Sequence, residues 1–196
     1  MHRLIVTSNT YRQASAVSKE MLERDPANML LARGPRFRVE AEMVRDIALE
    51  ASGLMSHKIG GPPVMPYQPD GVWLFPFQPA DDQWILSEGE DRYRRALYTF
   101  VRRTARYPSL LVFDAHSHEG VATRRPNSNT PLQALTTMND PAFFEAAQAM
   151  ARRIVREGGG DPTSRAVYGF RLATARQPRA AELETLLSLF GRESAY

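Results

Sequence analysis

Between Pro62 and Pro79 the chain places six of its fourteen prolines, in the stretch GGPPVMPYQPDGVWLFPFQPADDQW. Each proline fixes φ and removes a backbone donor, so neither a continuous helix nor a central strand can run through it. The same stretch carries Tyr67, Trp73, Phe75, Phe77 and Trp84, too many aromatics for a disordered linker. An ordered, wrapped loop is expected, with one short strand around residues 72–75. Trp73 and Trp84 could stack against sugar, but on a loop this long such residues more often anchor it to the core.

The loop divides the 196-residue chain into three stretches of a single domain: helical over 1–55, loop and β-ribbon over 56–128, and helical over 129–196. Residues 1–16 read as the end of a helix. Asp25-Pro26 reads as a cap and first-turn proline opening a short helix through Ala32. Residues 38–55 form the clearest early helix, with Val39, Met43, Ile47 and Leu54 on one apolar stripe. Glu42, Arg45, Asp46 and Leu49 follow a neighbouring stripe, where local ion pairing is the simplest explanation.

Six arginines and no acid occupy RYRRALYTFVRRTAR, residues 92–106. The run Ala96 to Val101 favours strand, and SLLVFDAHSH reads as a second strand ending at Asp114. The two are expected to pair as a small antiparallel ribbon. From Asn129 onward the pattern is helical. Asn129 or Thr130 caps a helix with Pro131 in its first turn and Leu132, Leu135 and Met138 facing one way. Asn139-Asp140-Pro141 opens a second helix with Phe143, Ala147, Met150 and Ile154 toward the core. Asp161-Pro162 opens a third with Val167, Phe170 and Ala173, and a fourth runs from Ala180 to Phe190. The fold class expected is therefore mainly α, a helical domain with a small antiparallel β-ribbon and a long Pro/aromatic-rich loop.

No catalytic signature stands in the chain: there is no P-loop, G-x-G-x-x-G, G-x-S-x-G or HExxH. The absence of cysteine excludes disulfides, thiolate zinc, iron–sulfur clusters and c-type haem attachment within this segment. His116 and His118 alternate as strand residues do, with Asp114 or Glu119 as a conceivable third ligand, but the pattern is too ordinary to assign a metal. A glycosidase would need two carboxylates, for which Glu42, Asp46 and Asp114 are the candidates. The net charge of +3 is too small to point to nucleic acid, and no apolar run approaches the ~20 residues of a membrane span. Of the 25 basic residues only Lys19 and Lys58 are not arginine. Tyr93, Tyr98 and Phe100 beside arginines could grip an anionic polysaccharide, or the arginines could simply cover apolar surface. The start, MHRLIVTSNTYRQ, lacks a signal peptide's apolar region and reads as the inside of an element, as expected of a C-terminal fragment of a larger multidomain protein.

The stretches HRLIVTSNTYRQAS, ERDPANMLLARGPRFRVEAEMVRDIALEASGLM, KIGGPPVMPYQP, YRRALYTFVRRT, FDAHSHE and RRPNSNTPLQALTTMNDPAFFEAAQAMARRI occur in that order. Together they resemble the family of domain of unknown function 1553 over nearly the whole chain. The resemblance implies the C-terminal domain of large, exported planctomycete-type proteins that often carry a cytochrome c-like haem domain upstream. It implies a link to the degradation of complex, often sulfated polysaccharide. It supplies no catalytic residue. The polar positions that match the family motifs are Arg12, Arg36, Arg38, Glu42, Arg45, Asp46, Asp114, Arg125, Asn129, Gln133 and Asn139. Many members have proline where His116 stands and cysteine near Val121, so the histidine pair is not a family feature.

In RRPNSNTPLQALTTMNDP, Asn129-Thr130-Pro131 and Asn139-Asp140-Pro141 satisfy helix-start amides, whereas Arg124, Arg125 and Gln133 are not needed for capping. These three are expected to meet Glu42, Arg45, Asp46 and Asp114 in one polar junction that also includes Asn129 and Asn139. Helix starts favour anions, so a sulfate or carboxylate of a sugar is the expected guest. The leading functional expectation is an accessory or substrate-binding module without a cofactor of its own, any haem c lying upstream. The alternatives are part of a hydrolase or haem-linked oxidoreductase site, and a scaffold packing on upstream domains of the same polypeptide.

Overall fold

A computed structural model describes residues 1–72, 83–102, 105–118 and 120–194. Two compact units compose the chain, Met1–Val39 and Glu40–Tyr196. Trp73, Phe75 and Phe77, the strand expected around 72–75, and Glu119 lie outside the described residues.

The first unit holds α1 (His2–Thr7) and α2 (Lys19–Arg24). Ser18 caps α2 by accepting the Met21 amide. The helix expected after Asp25 does not form. Asp25 ends α2, and its carboxylate accepts the amides of Met29 and Leu30, both at 2.8 Å. Asn28 and Leu31 take left-handed backbone conformations, so the segment closes as turns. The Arg33 guanidinium fastens these turns through the carbonyls of Asp25 and Pro26.

The second unit is helical. In it lie α3 (Ala41–Ser52), α4 (Pro108–Val112), α5 (Pro131–Asn139), α6 (Pro141–Glu157), α7 (Pro162–Thr174) and α8 (Ala180–Glu193). Helix α3 packs on α6, α4 and α7; α6 packs on α5 and α7; α7 packs on α8. Small residues at the contact, Ala41 on α3 and Ala146 and Ala149 on α6, are buried with Leu49 and allow close approach. The inward face of α3 is Ala41, Arg45, Leu49 and Ser52, not the expected apolar stripe: Met43 and Ile47 are each 46% exposed. Three successive helices begin with a cap and a proline. Thr130, Asp140 and Asp161 accept first-turn amides ahead of Pro131, Pro141 and Pro162.

The small antiparallel ribbon is absent among the described residues. Residues 96–98 form a 3-10 turn, and the β pairing among the described residues consists of isolated parallel bridges, Ser56 with Arg94 and Val64 with Thr99. SLLV, read as strand, is helix α4, with Pro108 in its first turn. An apolar run of this length carries no period of its own, and the proline ahead of it fixes a helical φ at its start.

Between Gly53 and Phe100 the described residues are organised by buried polar side chains. Arg94, 1% exposed, lies 3.7 Å from the Tyr98 ring centre and donates to the carbonyls of Pro62, Lys58 and Gly60. Trp84 stacks on Tyr107 at 5.8 Å and donates its indole N–H to the Pro66 carbonyl. Tyr107, which burial pushes up to about 12 in pKa, donates to the Tyr67 carbonyl at 2.7 Å. Trp84 thus serves as an anchor of the loop. No helix of the described residues is long and apolar enough to cross a membrane.

Candidate functional site

The residues expected at one junction occupy several separate positions in the second unit. Arg125 reaches α3 across the fold: its Nη1 lies 2.6 Å from Glu42 and 3.3 Å from Glu40. Burial pushes the Glu42 carboxyl up, but its hydrogen bond from Arg125 and the nearby charges of Arg125 and His118 outweigh this, and the net shift is downward. The same pairing raises Arg125 further. Asp46, one turn on, faces Arg95 at 3.2 Å and accepts the Ala96 amide at 2.7 Å. Arg45 points inward and donates to the Arg92 carbonyl, leaving its Nε buried without a hydrogen bond.

Asp114 and Gln133 form a different cluster. Asp114 follows the end of α4 in a left-handed conformation, φ 65°. Its carboxylate accepts both the amide and the hydroxyl of Ser128 at 2.7 Å. Gln133 does what capping requires, contrary to expectation. Its Oε1 accepts the Thr130 amide while Thr130 accepts the Gln133 amide, a reciprocal capping box. Its Nε2 donates to the Val112 carbonyl at 2.9 Å and to Ser128 at 3.2 Å. Asn139 donates back to the Leu135 carbonyl at the end of α5 and is exposed. Arg124 and Asn129 are also exposed.

Beside the Arg125–Glu42 pair lies a cleft of about 280 Å³. Its walls are Leu97, Phe100, Val101, Leu110 and Leu111, and Glu42, Arg106, His116, His118 and Arg125 also line it. Leu97 is 71% exposed and Val101 53% exposed, so the apolar wall faces solvent. Thr99 lines the cleft at 4% exposure, and its hydroxyl finds no hydrogen-bond partner among the described residues. A buried hydroxyl in that state costs about 1–3 kcal/mol. Arg125 spends only Nη1 on its two acids; its Nε and Nη2 make no hydrogen bond among the described residues.

The histidines are arranged for something other than shared ligation. Their rings meet edge to face at 5.1 Å, and His116 Nδ1 accepts the His118 amide at 2.8 Å. That bond places the neutral ring's proton on Nε2, so His116 offers a donor rather than a lone pair. Asp114, with both Ser128 groups on its carboxylate, is committed elsewhere.

Of the residues lining the cleft, the sequence singled out Glu42 and Arg125 for the polar junction and offered His116 and His118 only as metal ligands, while Thr99, Leu97 and Leu111, and Glu40 beside the pair, gave no such reading. A threonine inside an apolar run gives no sign that its hydroxyl is stranded. Glu40, two residues before Glu42 at a helix start, was a readable signal for a second acid near one cation.

A family model described as PSD1, protein of unknown function (DUF1553), matches residues 1–190. No curated protein and no solved structure matches the chain.

Proposed function

The chain belongs to the DUF1553 family of proteins of unknown function, and from that premise we propose that it is a ligand-binding module of a larger exported protein acting on complex, in part sulfated, polysaccharide. The cleft is its binding site, and an acidic group of the sugar is its guest. The observation that carries this reading is the cleft itself, where Arg125 and Arg106 stand beside a solvent-facing wall of Leu97 and Val101. A preformed hollow with few convergent polar groups is what small-ligand sites have in common. The hydrolase alternative has less support. Glu42 is held ionised beside Arg125 and is poorly suited to act as a general acid near neutral pH.

Titration calorimetry with neutral, carboxylated and sulfated oligosaccharides tests the reading. Binding of acidic sugars that disappears in Arg125→Ala, at an unchanged melting temperature, supports it. Failure of every sugar to bind overturns it.

A scaffold role is the second reading, with upstream domains of the same polypeptide as partner. It is favoured by α5, where Leu132, Leu135 and Met138 are 58%, 55% and 72% exposed. An apolar face of this kind commonly marks a contact surface.

A further inference from the structure

We infer that the hollow between the end of α3 and the last turns of α6 is a second binding site, which takes an oxyanion group of a ligand: a sulfate, a phosphate or a carboxylate. The hollow measures about 440 Å³ and is lined mostly by polar groups. Arg152, Arg153, Arg156 and Glu157 reach it from α6, and Glu50 and His57 reach it from the last turn of α3 and the residues after that helix. It shares no lining residue with the cleft beside Arg125, so its ligand is independent of the one proposed there.

The three arginines differ in what they already hold. Arg153 is committed to the fold. Its Nη1 donates to the carbonyls of Glu50 and Ala51 at 3.1 and 3.2 Å, which satisfies the open end of α3, and its Nε donates to Glu157 at 2.9 Å. Arg156 gives Nη2 to the other oxygen of Glu157. Hydrogen bonds from Tyr168, Arg156 and Arg153 hold the Glu157 carboxyl down at about 2, so this acid is charged and occupied at neutral pH. Arg152 lines the hollow and makes no hydrogen bond or ion pair among the described residues. It stands four residues before Arg156, one turn away on the same face of α6. Like charges at that spacing repel, and an anion set between them replaces the repulsion with two attractions. The remaining acid, Glu50, lies 3.6 Å from His57. Three arginines against two glutamates leave the hollow with a net positive charge, and His57 adds to it when protonated. A guanidinium fork receives a carboxylate, a sulfate or a phosphate alike, so the lining sets the sign of the guest's charge rather than its shape.

NMR titration of the whole chain at low salt tests this with glucose 6-sulfate, glucose 6-phosphate, glucuronate and plain glucose, which carry the three groups, or none, on one kind of body. At least one acidic sugar is expected to shift the Gly53 amide and the Arg152 Nε–H resonance, while glucose shifts neither. The sugar that binds most tightly identifies which oxyanion the hollow takes. Arg152→Ala removes no bond that the fold uses, and is expected to weaken binding at least ~tenfold at an unchanged melting temperature, through the loss of one charge-assisted partner. Arg156→Gln removes the second charge and is expected to weaken binding likewise, so either variant decides the matter if the other does not fold. Arg125→Ala is expected to leave the shifts at the hollow as they are. Shifts at the hollow that persist undiminished in Arg152→Ala and Arg156→Gln, or that vanish in Arg125→Ala, overturn the inference. Shifts confined to residues of the cleft overturn it while leaving the binding-module reading intact. No shift with any acidic sugar overturns both.

Discussion

The Gln133 amide nitrogen and the Asp114 carboxylate, 3.4 Å apart, both hold the hydroxyl of Ser128. Through this pair the end of α4, the loop before α5 and the first turn of α5 become one hydrogen-bonded unit. Gln133 is 2% exposed, so water does not compete for these bonds.

Gln133→Ala removes the capping box and strands the Val112 carbonyl together. The expected loss is about 3 kcal/mol, combining a lost cap with a buried unsatisfied acceptor. Urea unfolding monitored by circular dichroism measures it, and a loss within the noise of the midpoint would show that the cluster is ornamental.

Asp114 separates backbone from side chain. Its left-handed φ of 65° suits glycine, while its carboxylate holds Ser128. Asp114→Gly and Asp114→Ala both lose the carboxylate, but only alanine retains a strained Cβ. Alanine is expected to be less stable than glycine by about 1 kcal/mol, read from paired chemical denaturation curves.

Glu42 and Arg125 set a pH dependence. A carboxyl held below its ordinary value stabilises the fold at pH above that ordinary range, and the stabilisation fades as acid protonates the folded state. In Arg125→Ala the hydrogen bond and charge of Arg125 are lost, while burial, the backbone hydrogen bond and the charge of His118 remain, so Glu42 titrates higher than in the parent. Carbon-13 NMR titration of the Glu42 side chain checks this, and an unchanged midpoint would show that Arg125 does not govern it.

Arg94 tests whether a buried cation can be held by three carbonyls and a ring. Arg94→Lys keeps the charge but cannot span the three carbonyls as a planar fork. Thermal unfolding is expected to show a loss of about 2–3 kcal/mol for Arg94→Ala, from the lost charged hydrogen bonds, with lysine recovering less than half. Full rescue by lysine would mean that charge alone suffices.

Helices α6 and α7 touch where Gly169 faces Ile154. A Cβ at 169 would stand 2.7 Å from Ile154 Cδ1. Gly169→Ala is expected to cost about 1–2 kcal/mol by overpacking. Ile154→Val removes that methyl, so the double variant should lose less than the sum of the singles. Strict additivity in a denaturation cycle would refute the contact.

The cap–proline starts of α5, α6 and α7 were legible because Thr130, Asp140 and Asp161 act through neighbours in the chain. The role of Arg125 against Glu42 was also legible, as charge seeking charge across the fold. The face of α3 was not: Arg45 turns inward because a carbonyl at Arg92 receives it, and nothing near Arg45 in sequence announces that acceptor. The supposed ribbon failed for a related reason. Tyr98, Thr99 and Phe100 have strand propensity, but the bridge at Thr99 pairs with Val64 in the proline-rich loop, where no ladder can extend. Residues whose partners are backbone groups of irregular segments remain invisible until the segment is placed.

Because Pro131, Pro141 and Pro162 each follow a capping side chain, none of the three helices can grow backward by even one residue without losing its cap. Their lengths are thereby metered locally, before any of them docks. The position of Gln133 over α4 is then inherited from one proline two residues earlier, and an insertion between Thr130 and Gln133 would misplace that amide even if every helix still formed.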